Sequence, residues 1–241
     1  MTANLNSHEK YLEFCKEVSL KSGNVKGLRY AARVKATRPS WRPTPGSPAS
    51  SDRTRVEILW AAERVLATAG HAAFTIRAVA AVAGITPGNL AYHFSTKREL
   101  LRAVITSMIA EYNKKIDDFL KTPTSDGSDA FAELVTWLIY DSTNPVTSRL
   151  FRELWVMSLH DRFVSEAVDR LYTQTAKRMM NVLQQSHPEL GMAEAKEIVY
   201  LLLMICEGSN PIYGIASRHA APISKVSNLA VKALQRLAKG A

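Results

Sequence analysis

The stretch FTIRAVAAVAGITPGNLAYHFSTKRELL, which begins at Phe74, constrains the fold of this chain more than any other. Thr75 is placed to cap a helix, and Gly84 is the residue type that commonly ends one in the left-handed conformation. Thr86 and Pro87 then start a second helix, because proline at the first helical position loses no hydrogen bond. Two short helices joined by a tight turn, a helix-turn-helix, are therefore predicted.

The second of these helices carries side chains suited to a nucleic-acid surface. Its first turn is small and polar, and the amide of Asn89 can pair with an adenine edge through two hydrogen bonds. Leu90 and Phe94 fall on the opposite face and point to a core. Nearby hydroxyl, imidazole and ammonium groups can contact phosphates, which positions a protein without reading sequence. The predicted DNA-binding residues are Thr75, Arg77, Thr86, Pro87, Gly88, Asn89, Tyr92, His93 and Lys97.

A third helix follows at once. Thr96 and Glu99 have the spacing of a capping box, in which each side chain bonds to the other's backbone N–H. The free N–H groups of that first turn, together with Lys97, suit a phosphate group. Apolar residues remain in helical register beyond this point, so the helix is expected to continue to about Leu120.

These residues resemble the tetracycline-repressor (TetR) family. The resemblance lies in T-I-R-x-V-A-x-x-A-G-I-T-x-G-x-L-A-x-H-F-x-T-K-x-x-L, an unbroken match to the family pattern. Two of the unspecified positions differ from what is common in the family: Ala78 replaces a commonly acidic residue, and Pro87 occupies a variable reading position. The resemblance is specific over about Arg53 to Tyr112 and is one of architecture beyond. It implies an all-α fold, with an N-terminal three-helix DNA-binding domain and a C-terminal helical bundle that dimerises and can bind a ligand.

Composition and charge agree with an all-helical, nucleic-acid-binding protein. The chain has 241 residues, 46% of them hydrophobic, with few strand-like alternations. Its 31 basic and 22 acidic residues are unevenly distributed. Residues 1–50 hold nine basic and three acidic residues, a net charge of +6, whereas the rest of the chain contributes +3. The surplus therefore lies beside the helix-turn-helix, where DNA would favour it, although it can also serve only solubility.

Three domains are predicted. Residues 1–51 are predicted to form a basic, disordered extension, because the sequence from Arg38 onward is rich in proline, serine and glycine. Its arginines can act as an arm along the DNA, but a passive tail or translated upstream sequence is the simpler alternative. Residues 52–112 form the DNA-binding domain, with its motif at about 75–94. Residues 113–241 form the effector-binding and dimerisation domain, after a break at 122–127.

The second domain is predicted to be helical throughout. Caps at Ser128 or Asp129, at Asn144 and near Asp161 begin three helices. A fourth, from Met192 to Glu207, is apolar on nearly every side, and a fifth runs from Ser224 to Ala238. One chain offers little to cover the last two helices, so we expect them to pair with those of a second subunit as a four-helix interface. The family resemblance implies the same homodimer.

A small-molecule effector is expected inside this second domain. The predicted ligand-binding residues are Trp137, Phe151, Trp155, Tyr172, Met204 and Glu207. Aromatic and methionine side chains at helical spacing are more often plain core, however, and that alternative stays open for each of them. Arg152, Glu153, His160 and Asn210 are further polar candidates. No metal site and no cofactor is predicted, since no ligand pairs stand at suitable spacing.

Three classes of function remain. The leading prediction is a repressor that binds a pseudo-palindromic operator as a homodimer and is released by a small-molecule effector. The alternative is a sequence-tolerant DNA-binding or adaptor protein without an effector. An enzyme is disfavoured, because the chain has no nucleophile elbow, phosphate-binding glycine loop or metal cluster. Two distant cysteines and the lack of long apolar runs predict a cytoplasmic, nucleoid-associated protein without membrane contact.

Overall fold

The computed structural model describes residues 49–121, 129–213 and 221–239. The described residues are helical and contain no strand. The predicted extension up to residue 48 and the predicted break at 122–127 lie outside them, as does Ser128. The helices are α1 (Ala49–Ala69), α2 (Ile76–Ala83), α3 (Pro87–His93), α4 (Lys97–Leu120), α5 (Ala130–Ser142), α6 (Pro145–Ser158), α7 (Arg162–Ser186), α8 (Met192–Tyr213) and α9 (Ile223–Ala238), with a 3₁₀ turn at His71–Ala73.

Two helix boundaries differ from the sequence prediction. Helix α1 begins at Ala49, three residues before the predicted start of the DNA-binding domain at residue 52, so residues 49–51, which the sequence assigns to the extension, are helical. Alanine and serine are tolerated in a first turn, and Asp52 is then favoured there by the helix dipole. Helix α8 continues beyond Glu207 to Tyr213 and includes Pro211 in its last turn.

The described residues form two compact units. The first contains residues 49–112 together with 149–168, and the second contains the described residues of 113–148 and 169–239. Residues 149–168, which the sequence assigns to the C-terminal domain, thus belong to the first unit. The first unit is built on α1, which packs against α2, and α2 packs in turn against α3. Its fully buried apolar side chains include Ile58, Leu66, Phe74, Leu90, Phe94, Leu100 and Ile105.

The second unit is centred on α5, which packs against both α8 and α9. Asp129 caps α5 by accepting a hydrogen bond from the N–H of Phe131 at 2.9 Å. Polar pairs lie among the apolar side chains: the Ser148 hydroxyl donates to Asn210 Oδ1 at 2.9 Å, and Asp141 forms an ion pair with Lys115. Asn210, a candidate ligand contact in the sequence, is thus buried with a partner inside its own unit.

Among the described residues, none of the helices is long and apolar enough to cross a membrane.

Helix α1 carries a half-buried titratable group in the first unit. Burial, with a smaller contribution from the charge of Glu111, raises the pKa of Glu63 to about 7. The folded chain therefore holds this proton more tightly than the unfolded chain does. The free energy of unfolding consequently falls as pH rises from about 4.5 to about 7, and the loss is complete above that range.

We expect Glu63→Gln to stabilise the protein at pH 8 by about 1–2 kcal/mol, since one pKa unit corresponds to about 1.4 kcal/mol and the side chain keeps some contact with water. The advantage should vanish near pH 5, where Glu63 is protonated. Denaturant unfolding at both pH values measures it. Glu57→Gln, on the same helix but in an exposed ion pair with Arg53, is the matched control. An equal effect of Glu63→Gln at both pH values would contradict the assignment.

Candidate nucleic-acid interface

The first helix of the predicted motif starts and ends as the sequence indicates. Thr75 caps α2, its hydroxyl oxygen accepting from the N–H of Ala78 at 3.1 Å. Gly84 ends the helix in the left-handed conformation, with φ 70° and ψ 28°. Ile85 follows at the corner and donates its N–H to the carbonyl of Ala80 at 3.0 Å. The tight turn between α2 and α3 is therefore determined by residues that are neighbours in the chain, which is why the sequence predicts it.

Helix α3 starts one residue after its cap. The hydroxyl oxygen of Thr86 accepts from the N–H of Asn89 at 3.1 Å, and Pro87 occupies the first helical position. Leu90 is fully buried, as is Phe94 directly after the helix. The outward side of the first turn, formed by Thr86, Pro87, Gly88 and Asn89, is exposed. The predicted division between an inward apolar side and an outward small, polar side is confirmed.

The C-terminal end of α3 presents an aromatic rim. Tyr92 is 84% exposed, and its ring contacts the half-buried ring of His93 edge-on, with centroids 5.2 Å apart. Lys97 is exposed at the start of α4, and Thr75 and Arg77 are exposed on α2. The nine predicted DNA-binding residues are thus carried by one continuous segment, and eight of them are exposed.

The capping of α4 differs in one detail from the predicted capping box. Thr96 Oγ1 accepts from the N–H of Glu99 at 3.0 Å, as expected. The carboxylate of Glu99, however, accepts from the hydroxyl and the N–H of Ser95, one residue before the cap, at 2.8 and 3.0 Å. These two bonds lower the pKa of Glu99. Glu99 is therefore engaged at the start of the helix, and Lys97 beside it remains exposed.

The charge of this surface is positive. No aspartate or glutamate occurs between Arg64 and Arg98, a range that contains both helices of the motif. Arg77, Lys97 and Arg98 are exposed on it. A segment without acidic residues and with exposed cations suits a polyanion, because each phosphate contact releases condensed counterions.

Arg55, on α1, also supports this surface, although the sequence does not indicate it. Its guanidinium lies over the Phe94 ring, 4.2 Å from the centroid, and its Nη1 donates to the backbone oxygen of His93 at 3.1 Å. Arg55 thereby holds the C-terminal end of α3 against the core. The contact joins residues 38 positions apart, so local motif patterns contain no signal for it.

The six predicted ligand-binding residues divide between the two units. In the first unit, Phe151 packs edge-on against Trp155, with centroids 6.2 Å apart. In the second, the Tyr172 hydroxyl donates to Glu207 Oε1 at 2.8 Å, and burial raises the pKa of Glu207 to about 7.

The remaining two lie elsewhere in the second unit. Trp137 is buried and stacks on Phe119 at 4.9 Å, as an ordinary core residue does. Met204 is 71% exposed on the outer face of α8 and does not contribute to the interior of its unit.

Comparisons with known proteins agree with this geometry. Residues 58–104 match the model of the bacterial regulatory proteins of the tetR family. The HTH-type transcriptional regulator TtgR of Pseudomonas putida is 38% identical over 58 residues, which span 24% of this chain and 28% of that protein.

Two crystal structures of regulators share the fold. One is from Rhodococcus sp. Rha1, with a TM-score of 0.62, 18% identity and coverage of 77% of this chain and 96% of its own. The other is from Saccharomonospora viridis in complex with choline, with a TM-score of 0.61, 14% identity and coverage of 78% and 96%. With its motif geometry and the match over residues 58–104, this segment of the chain is a helix-turn-helix region of the tetracycline-repressor (TetR) type.

Proposed function

We propose that this protein is a transcriptional regulator that represses by binding a pseudo-palindromic operator as a homodimer and leaves it when a small molecule binds. The observation that carries the proposal is the exposure of the first turn of α3 above a buried apolar side. Its first turn is exposed and small, while Leu90 and Phe94 beneath it are fully buried. A rigid helix with an accessible first turn is what insertion into a major groove requires.

Within the groove, the exposed residues would divide into two roles. Asn89 has the amide that pairs with an adenine edge, and Gly88 beside it lets the backbone approach the bases. Arg77, Tyr92 and Lys97 lie around that turn as hydrogen-bond donors for phosphates, which set register and orientation. Specificity would therefore depend on Asn89, and general affinity on the surrounding donors.

Gly88→Ala is expected to change folding stability and DNA binding in opposite directions. Gly88 lies inside α3, and a Cβ there would meet no atom closer than Thr86 Oγ1 at 3.9 Å, so alanine should stabilise the fold by about 0.5 kcal/mol. The same methyl group would keep the backbone from the bases and weaken operator binding about tenfold. Thermal unfolding and fluorescence anisotropy measure the two effects. A variant that binds the operator as tightly as the parent protein would show that α3 does not approach DNA through Gly88.

The second copy of the chain would pair through α8 and α9. Inward residues such as Leu202 and Leu234 are fully buried within the chain. The opposite faces expose large apolar side chains to solvent: Tyr200, Leu201, Met204 and Ile212 on α8, and Leu229 and Leu237 on α9. Apolar surface of this extent typically marks an interaction site. A two-fold axis through these faces would duplicate α3 and match the symmetry of a palindrome.

The effector is proposed to bind in the helical bundle. The Saccharomonospora viridis relative holds choline, which supports a small-molecule site in a protein of this fold. In this chain, the half-buried pair of Tyr172 and Glu207 in the second unit offers a polar contact. Because coupling between two sites is reciprocal, an effector that weakens operator binding must itself bind the DNA-free protein more tightly.

Selection of bound fragments from the source genome tests the proposed function. A regulator should enrich a small set of related sequences that contain inverted half-sites, with affinity at least about 1,000-fold above random DNA. The second candidate, a sequence-tolerant DNA-binding protein, is favoured by the positive edge around Lys97 and Arg98. It would enrich no common sequence, and its binding would decrease steeply with salt on every fragment alike.

A further inference from the structure

A carboxylate from α6 reaches the corner between α1 and the helix-turn-helix. Glu153 Oε2 accepts a hydrogen bond from the backbone N–H of His71 at 2.7 Å. Both residues belong to the first unit, although 82 positions separate them in the chain. His71 opens the 3₁₀ turn that leads through the fully buried Phe74 into α2. The bond therefore fixes the point from which the motif starts.

The backbone at this corner is shaped to admit the carboxylate. Gly70 has φ 76° and ψ 173°, a region that only glycine adopts readily. A Cβ at Gly70 would lie 3.0 Å from Glu153 Oε1. Gly70 also has no side chain with which to cap the following turn, so the acceptor for the His71 N–H comes from Glu153 on another helix. A glycine that both permits the bend and leaves room for the carboxylate makes this a specific contact.

We propose that Glu153 is a positioning residue for DNA recognition: by holding the N–H of His71, it makes α6 determine where α2 and α3 lie. The DNA part of this inference rests on the proposed function. A backbone N–H bonded to a carboxylate is a charge-assisted hydrogen bond, stronger than one between neutral groups. Glu153 bonds to His71, four positions before the predicted DNA surface begins at Thr75, and is proposed to act on that surface through the backbone and not by contacting DNA itself.

Two variants and a matched control separate positioning from general stability. Glu153→Ala removes the acceptor, whereas Glu153→Gln keeps a carbonyl oxygen in nearly the same place. Glu166→Gln is the control, because Glu166 belongs to the same unit but pairs with Arg162 on its own helix, at 2.8 Å. Each is compared with the parent protein by backbone hydrogen exchange without DNA, and by affinity for a selected operator fragment.

We expect Glu153→Ala to speed exchange over residues 71–94 about tenfold, while exchange in α9 stays unchanged, and to weaken operator binding about tenfold. Glu153→Gln should recover most of both effects, and Glu166→Gln should match the parent protein. Unchanged exchange over 71–94 would overturn the inference, as would an equal rise in α9 or operator affinity within about twofold of the parent. A parent protein that binds no fragment would overturn the proposed function, and the exchange data would still decide whether Glu153 positions the corner.

Discussion

Replacing Met204 and Leu229 together with aspartate is expected to convert the proposed homodimer to monomers and to weaken operator binding by at least about 100-fold. The two side chains are 71% and 68% exposed on α8 and α9, which pack against each other within the chain. In a two-fold interface each substitution occurs twice, so four unpaired carboxylates would have to be buried. The effective cost of burying one such charge is several kcal/mol, which exceeds what the remaining apolar contacts could offset.

The loss of DNA binding follows from the loss of the second α3. A monomer would contact a single half-site and keep only part of the phosphate and base contacts. Sedimentation velocity would report the change in mass, and anisotropy on an operator fragment would report affinity. Both substituted positions are exposed within the chain, so the helical circular dichroism signal should remain that of the parent protein.

Leu159→Asp provides the matched control for this experiment. Leu159 is 76% exposed on the described surface, but it follows α6 and lies in the first unit. The control should remain dimeric and bind the operator normally, because an exposed aspartate away from the interface buries no charge. If the double variant sediments as a dimer, or if Leu159→Asp dissociates equally, the interface does not lie on α8 and α9.

Asn89→Ala is expected to cost about 1–3 kcal/mol of operator binding while leaving random DNA nearly unaffected. Asn89 is exposed in the first turn of α3, and its backbone N–H is already bonded to Thr86. Its side-chain amide is therefore available to a base edge. Removing that amide should relax the preference for one base pair in each half-site, a change visible in a repeated fragment selection.

Lys97→Ala is the comparison that separates the two roles. Lys97 is exposed beside the motif and is expected to contact phosphate only. Its loss should weaken operator and random DNA alike and should reduce the dependence of affinity on salt by about one counterion. Equal losses on both kinds of DNA for Asn89→Ala would instead place Asn89 among the phosphate contacts.

The parts of the fold that sequence predicts best are those governed by local chemistry. The caps at Thr75, Thr86, Asn144 and Asp161 each bond to an N–H two or three residues later. Gly84 likewise takes the left-handed conformation at the corner that its position predicts. In each case the residue type and the group that it satisfies are neighbours in the chain, so spacing alone identifies them.

Contacts between distant segments could not be predicted in the same way. Helical periodicity indicates which face of a helix is buried but not what covers it. The Arg55 contact with Phe94 and the Glu153 bond to His71 join residues 39 and 82 positions apart. The sequence offers Glu153 as a candidate polar contact for a ligand, and it does not indicate that the partner is a backbone N–H far along the chain.

The predicted ligand residues show a related limit. An aromatic side chain at an inward position can line a cavity or fill the core, and periodicity is identical for both. Trp137 stacks on Phe119 within the second unit, whereas the Tyr172 hydroxyl donates a hydrogen bond to the carboxylate of Glu207. Met204 illustrates the opposite case, because α8 is apolar on several faces and sequence does not determine which of them is exposed.

Methylation interference on a selected operator tests the central claim, that two copies of α3 lie in successive major grooves. Methyl groups at guanine N7 project into the major groove, so they block a helix placed there and do not affect binding from the minor groove. The expected result is two symmetric clusters of interfering guanines about 34 Å apart, with two protein chains per duplex. A single asymmetric cluster with one chain bound, or interference only from minor-groove modification, would contradict it.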